Sequence, residues 1–335
     1  MFSHLEISQN NFTGKFPKII CNFTNLYFLN LGNNKITGEI PSCIDNLAEL
    51  QTFWIFGNRF SGVIPDGIGK LQHLKKLYLN YNHLSGYIPL SIGNLTNLSV
   101  RYLPGNSLSG HMPSSIRKCS NLLEMDLSRN NLTSTIPSEI FSPSELVKLY
   151  LGYNHLTGPL REEVGQLRNI VYLSISENLL SGEIPSSLAA CVELQSLYMY
   201  NNFFEGLIPD SLNTLLILQE FDMSYKNLSG KIPSFLVRLP LKLLELSSTN
   251  FTGQVPIGGV FGNATALSVV GNDMLCGGSP ALKLHKCHPV SHSESHRKRL
   301  ILEVTIFGLL GIVMLVISTS LCMFWYRKSL KRATT

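Results

Sequence analysis

Seven residues carry the chemistry that matters most in this chain: Trp54, Phe56, Lys76, Tyr78, Tyr81, Tyr102 and Tyr150. That chemistry is docking. Tyr and Trp offer large apolar area with few rotamers to freeze and a polar tip for one hydrogen bond, so they serve as anchors for peptides and proteins. Trp54, Tyr78 and Tyr102 recur every 24 residues. The plainer alternative for any one of them is cross-strand stacking that stabilises a sheet. Bond-making chemistry has no comparable signature. The chain has no GxSxG, HExxH or CxxC motif and no phosphate-binding glycine loop, so no catalytic residue and no cofactor is expected. His285, His288, His292 and His296 form the one histidine cluster. The last three are spaced by four, which a helix would place on one face. Pro289 and the polar surroundings favour an irregular stalk, and no metal site is expected.

The elements that position the aromatics follow from a repeated sentence. Residues 74–89 read LxxLxLxxNxLSGxIP, and its Asn recurs at Asn10, Asn34, Asn58, Asn82, Asn106, Asn130, Asn154, Asn178 and Asn202. A strict 24-residue step with this Leu/Asn spacing is the mark of leucine-rich repeats. In Leu77-Tyr78-Leu79 the leucines alternate with an outward residue, which is strand periodicity. One such strand per coil, stacked in parallel, predicts an α/β solenoid: a right-handed superhelix with a concave parallel sheet. The leucines then face inward, the aromatics face the open side, and the asparagines bond neighbouring turns as a ladder. Each coil buries its apolar face only against the next, so the array is stable only as a stack.

Two coils depart from the sentence in ways that predict trouble. Arg101 takes a slot that should hold a buried leucine, and must snorkel out or distort its coil. Ser134 stands where other coils have glycine, and Lys226 and Thr249 replace ladder asparagines.

The predicted organisation is a solenoid of about eleven coils over residues 1–256, a C-terminal cap over 257–290, and a basic stalk over 291–303. Residues 304–326 form a run of 23 without a charge, long enough for a transmembrane helix, followed by a cytoplasmic stub over 327–335. The net charge of +5 is local. Nine Lys/Arg against Glu294 and Glu303 give +7 from Lys283 onward, leaving −2 for the rest. Basicity that flanks an apolar run marks a membrane boundary, and nucleic-acid binding is excluded as a function class.

Cys119 and Cys191 fall in slots held elsewhere by leucine, so they read as small core residues. Cys21 and Cys43 lie in return segments without an evident partner. Cys322 lies in the apolar run. Cys276 and Cys287 are the plausible disulfide. Glycosylation sequons begin at Asn11, Asn22, Asn94, Asn97, Asn131, Asn227, Asn250 and Asn263. With the cap cysteines they place the residues before the apolar run outside the cell.

The LSGxIP wording resembles the plant-specific class of leucine-rich repeats. Gly253-Gln254-Val255-Pro256, Gly259-Val260-Phe261, Asn263-Ala264, Val269-Val270-Gly271-Asn272 and Leu275-Cys276-Gly277-Gly278 resemble the ectodomain end of plant leucine-rich-repeat receptor-like kinases. The similarity is greatest to the immune receptors that sense microbial peptides. It implies a single-pass plasma-membrane receptor, glycosylated outside, that binds a peptide or protein ligand and recruits a co-receptor kinase. A signal peptide, N-terminal cap and kinase have no counterpart here, so a truncated receptor without its own kinase activity is expected. The alternatives are an inhibitor of secreted microbial hydrolases and a non-functional receptor fragment.

Overall fold

The computed structural model describes residues 2–225 and 227–287. Residues up to 286 form one compact unit. Its architecture is two twelve-stranded parallel sheets that run side by side along the stack. The expected strand supplies the first sheet, from His4–Glu6 through Lys76–Tyr78 to Leu267–Ser268. The second sheet comes from the LSGxI words, as at His83–Tyr87, and gives each coil a second strand that the period alone did not announce. A short 3-10 helix on the third side, such as Leu90–Asn94, returns the chain.

Local chemistry fixes each corner. The residue before the ladder Asn is left-handed in coil after coil, for example Asn33 at φ 51° and Tyr81 at φ 54°. The return helix starts after a proline whose φ is already helical, such as Pro89 at −66°. The ladder itself is regular. Asn58 donates from Nδ2 to Leu31 O at 2.9 Å and Ile55 O at 3.1 Å, and its Oδ1 accepts from Ile36 N at 3.0 Å. One buried amide thereby satisfies three backbone groups of its own and the preceding coil, which an alanine would leave orphaned. The stack does not stop at Pro256. A twelfth coil follows, in which Asn272 donates to Leu246 O at 2.8 Å and accepts from Phe251 N at 3.0 Å. Thr249, in the short eleventh coil, joins the ladder through its own hydroxyl on Asn272 Oδ1 at 2.5 Å. Lys226 lies outside the described residues.

The core is the column of inward positions, Leu29, Phe53, Leu77, Met125 and their equivalents, buried in every coil after the first, where Leu5 is partly covered. Arg101 belongs to this column and corrects the expectation that it would snorkel or distort its coil. Its strand keeps register, with Arg101 opposite Leu77 and Met125, and its side chain has no solvent exposure. Strand alternation leaves no choice: Val100 and Tyr102 hold the outward places. Its Nη2 donates to Met125 Sδ at 2.8 Å, while Nε and Nη1 find no acceptor. Burial pulls its pKa down to about 10, against the opposing pull of Cys119.

Cysteine pairing also departs from the sequence reading. Cys21 and Cys43 are disulfide-bonded, with Cα atoms 5.8 Å apart. The bond joins the return helices Lys18–Asn22 and Ser42–Asn46 at staggered positions, which is why comparison of equivalent slots found no partner. Cys119 and Cys191 are free and buried, and Cys276 and Cys287 are each disulfide-bonded. Among the described residues no helix is long and apolar enough to cross a membrane. The predicted stalk, the apolar run 304–326, the stub, Cys322, His288, His292 and His296 all lie outside the described residues.

Candidate functional site

The outward face of the first sheet carries the aromatic residues, and strand register brings them together. Asn30, Trp54, Tyr78 and Tyr102 are successive partners across the strands. Trp54 and Tyr78 ring centroids are 5.2 Å apart, Tyr78 and Tyr102 4.9 Å. Phe28 meets Trp54 at 5.5 Å and His4 stacks on Phe28 at 4.3 Å, so the run reaches the first strand. Phe56 closes on Trp54 at 6.4 Å and lies over Gly32, where a Cβ would collide with its ring at 2.5 Å. That glycine is required by close approach. Trp54 Nε1 is buried in this run and finds no acceptor among the described residues.

The remaining sequence-nominated residues sit differently. Lys76 is exposed at the start of its strand, opposite Thr52 and Val100. Tyr81 is 59% exposed and left-handed, with its ring over Gly105, at the edge of the sheet and apart from the run. Tyr150 belongs to a second group: Tyr150 and Tyr172 rings are 4.6 Å apart, Tyr172 and Tyr198 5.4 Å. Tyr172 and Tyr198 were legible as outward positions, yet only the ring contacts mark them as a continuation.

Between the two groups lies a charged strand. Tyr102 donates its hydroxyl to Glu124, and Lys148 Nζ stands 3.0 Å from Glu124 Oε1. Burial raises the Glu124 pKa, but the Tyr102 and Lys148 contacts outweigh it and hold the carboxyl below its usual range. Burial raises the Asp126 pKa despite bonds from Ser128. Burial pushes the Tyr172 phenol up to about 12. Phenols of this kind stay protonated at any physiological pH and act as neutral donors. No group of three or more His, Cys, Asp and Glu suited to a metal occurs among the described residues. A shallow groove of about 570 Å³ runs beside the ladder, lined by His155, Leu179, Phe203 and Tyr225 among others. It does not include the aromatic run.

All eight sequon asparagines are exposed. Asn131, Asn227 and Asn250 begin strands of the second sheet, and none of the eight lies on a strand of the first. Glycans at these positions would leave the aromatic face open.

Comparison with known proteins agrees with the repeat fold. Leucine-rich-repeat family descriptions match residues 96–156, and residues 2–23, 25–47, 49–71, 73–95, 169–191 and 193–215. A probable leucine-rich-repeat receptor-like serine/threonine-protein kinase of Arabidopsis thaliana is 38% identical over 71 residues, 20% of this chain and 7% of that protein. The solved TDR receptor is 33% identical, with a TM-score of 0.74 over 76% of this chain and 44% of its own. The Arabidopsis receptor kinase HAESA, in complex with the peptide hormone IDA and a co-receptor, is 32% identical, with a TM-score of 0.73 over 82% of this chain and 44% of its own. A plant ice-binding protein is 27% identical, with a TM-score of 0.68 over 80% of this chain and 86% of its own. The chain thus spans less than half the length of these two receptors and a small fraction of the curated kinase.

Proposed function

We propose that this leucine-rich-repeat solenoid, similar to plant receptor ectodomains, binds an extended peptide on the outward face of its first sheet and signals through a partner. One observation carries the reading: the unbroken aromatic run from His4 to Tyr102 on the outward face of the first sheet. Core packing does not require aromatics on that face, because the inward column already fills the interior. An extended peptide would lay its apolar side chains over the rings, drawing affinity from the aromatic area it covers.

The wider reading is a membrane-anchored receptor, held by residues 304–326, glycosylated at the exposed sequons and paired with a co-receptor kinase. HAESA, solved with both a peptide hormone and a co-receptor, supports such partners. On this reading the chain has no catalytic role. Its place in plant defence rests on the resemblance of its tail to immune peptide receptors. The likeness to an ice-binding protein points elsewhere, and the second sheet speaks against it. The hydroxyls of Thr37, Ser85, Ser109 and Ser229 donate to carbonyls of the preceding coil. Tyr87, Leu179 and Phe203 break the flatness of that sheet.

The test is to select binders from a dodecapeptide library displayed on phage against the full chain, then titrate a recovered peptide. Trp54→Ala with Tyr78→Ala is expected to weaken binding by about 2 kcal/mol or more while the melting curve stays put. Unchanged affinity in a folded double variant would remove the binding face from this sheet.

A further inference from the structure

The groove beside the ladder contains a glycosylation signal. Asn227-Leu228-Ser229 is a sequon, and Asn227 lines the groove together with Leu179, Phe203 and Tyr225. These three side chains are 44%, 55% and 60% exposed. The fold does not ask for apolar residues there, because Leu180 and Phe204 already fill the inward places of their strands. Register brings the sequon beside them. His155, Leu179, Phe203 and Asn227 hold the same position in four consecutive coils. Phe203 begins its strand, and Asn227 pairs with Glu205 two residues further along it. Neighbouring strands lie ~4.8 Å apart, so a group attached to Asn227 reaches Phe203 first and Leu179 next.

We propose that this groove is the seat of the N-glycan borne by Asn227, whose first two N-acetylglucosamine units lie back over Phe203 and Leu179. This rests on the extracellular reading of the sequons and is independent of the peptide reading. The bond comes from a lipid-linked oligosaccharide: Asn227 Nδ2 loses a proton and bonds the anomeric carbon, and the lipid diphosphate leaves with the electron pair. A pyranose has one face of C–H groups and a rim of hydroxyls. The C–H face carries slight positive charge and suits the negative face of a ring, and the contact takes apolar area out of water. The rim needs polar partners, and the groove has them. Asn201 donates from Nδ2 to Glu177 Oε2 at 2.5 Å, and both line it beside His155. The contacts need not be strong, because the tether makes their formation intramolecular. Asn131 is the internal control. It stands at the same position of its own coil, but the residue one coil back is Ser107.

The experiment uses the full chain, made in cells that attach only oligomannose glycans. Endoglycosidase H cuts between the first two sugars, and glycopeptide mass spectrometry follows release from the native protein site by site. A seated glycan is cut only while it is off the groove, so release at Asn227 should be about tenfold slower than at Asn131. Leu179→Ser with Phe203→Ser should raise the Asn227 rate by the same factor at an unchanged melting temperature, since both side chains are largely exposed. Phe203→Tyr, which keeps the ring, should preserve the protection. A bare Asn227 would overturn the seat together with the extracellular reading of this sequon. An occupied Asn227 that releases as fast as Asn131, or as fast as in the folded double variant, would overturn the seat alone and leave the groove to a separate partner.

Discussion

The first sheet has two outward faces in one. Before the strand Glu124–Asp126 it is an aromatic run in which Glu6 and Lys76 are the only full charges at outward strand positions. After it, tyrosines persist but Glu220, Asp222 and Glu245 join them without a cation at the strand positions after Lys148. The inward column shows no such change, running through leucine, phenylalanine and methionine, buried on both sides from the second coil onward. The fold therefore imposes the inside and leaves the outside free. Differences on a face that the fold does not dictate are where selectivity can reside.

The inside makes one exception, and it tests this contrast most strongly. Arg101 sits in the column at the edge of the aromatic half, with two donors unsatisfied. If the column is purely apolar in its demands, Arg101→Leu should raise stability by about 3 kcal/mol, from restored apolar burial and relief of orphaned donors. Chemical denaturation of the full chain measures it. An unchanged midpoint would mean the column tolerates charge and is less uniform than the contrast requires.

A second test separates the halves by their cross-links. Cys21–Cys43 ties the first two coils. Replacing both by Ser should cost about 2 kcal/mol and expose amides of the earliest strands to hydrogen exchange. Strands around Tyr198 should keep their protection, because stacked repeats couple chiefly to neighbours. Loss of protection along the whole stack would show that the two halves do not behave separately.

A smaller effect belongs to Ser134. It is left-handed at φ 70° where neighbouring coils place glycine, and its hydroxyl is 2.8 Å from His111 Nδ1. Ser134→Gly should gain about 1 kcal/mol by removing Cβ strain. A lower melting temperature would show that the His111 contact outweighs the strain.

The smallest effect sets the acids against each other. Glu124 has a lowered pKa, so its contribution is present above the ordinary carboxylate range and is lost as pH falls through the depressed folded value. Glu245 has a raised pKa, so its contribution is present below the ordinary range and is lost as pH rises through the elevated folded value. Both groups are partly exposed to solvent, which screens them and keeps each effect to a few tenths of a kcal/mol. Glu245→Gln should reduce the loss of stability between mild acid and neutral pH, while Glu124→Gln should reduce the loss on going into acid. Melting temperatures across that range check the sign, and a like response from both variants would erase the electrostatic difference.

Much of this was legible in the sequence, for a physical reason. The ladder and inward column recur at every 24th residue because each coil must satisfy the same backbone groups and fill the same interior. The second strand was not, because its LSGxI word reads equally as a turn until the register of neighbouring coils is known. The Cys21–Cys43 bond escaped because it joins unlike slots. The Tyr150, Tyr172 and Tyr198 group escaped because Tyr172 precedes the inward Leu173 while the other two follow theirs, so the rings meet diagonally.

The central claim is that recognition occurs on the outward face of the first sheet and not on the second. Photo-crosslinking decides it directly. A p-benzoylphenylalanine is placed at Tyr78, on the aromatic run, or at Tyr87, which is 70% exposed on the second sheet. Each full-length variant is irradiated with a peptide recovered from the dodecapeptide library. The account predicts a crosslinked adduct from position 78 and none from position 87. An adduct from position 87 alone would contradict it.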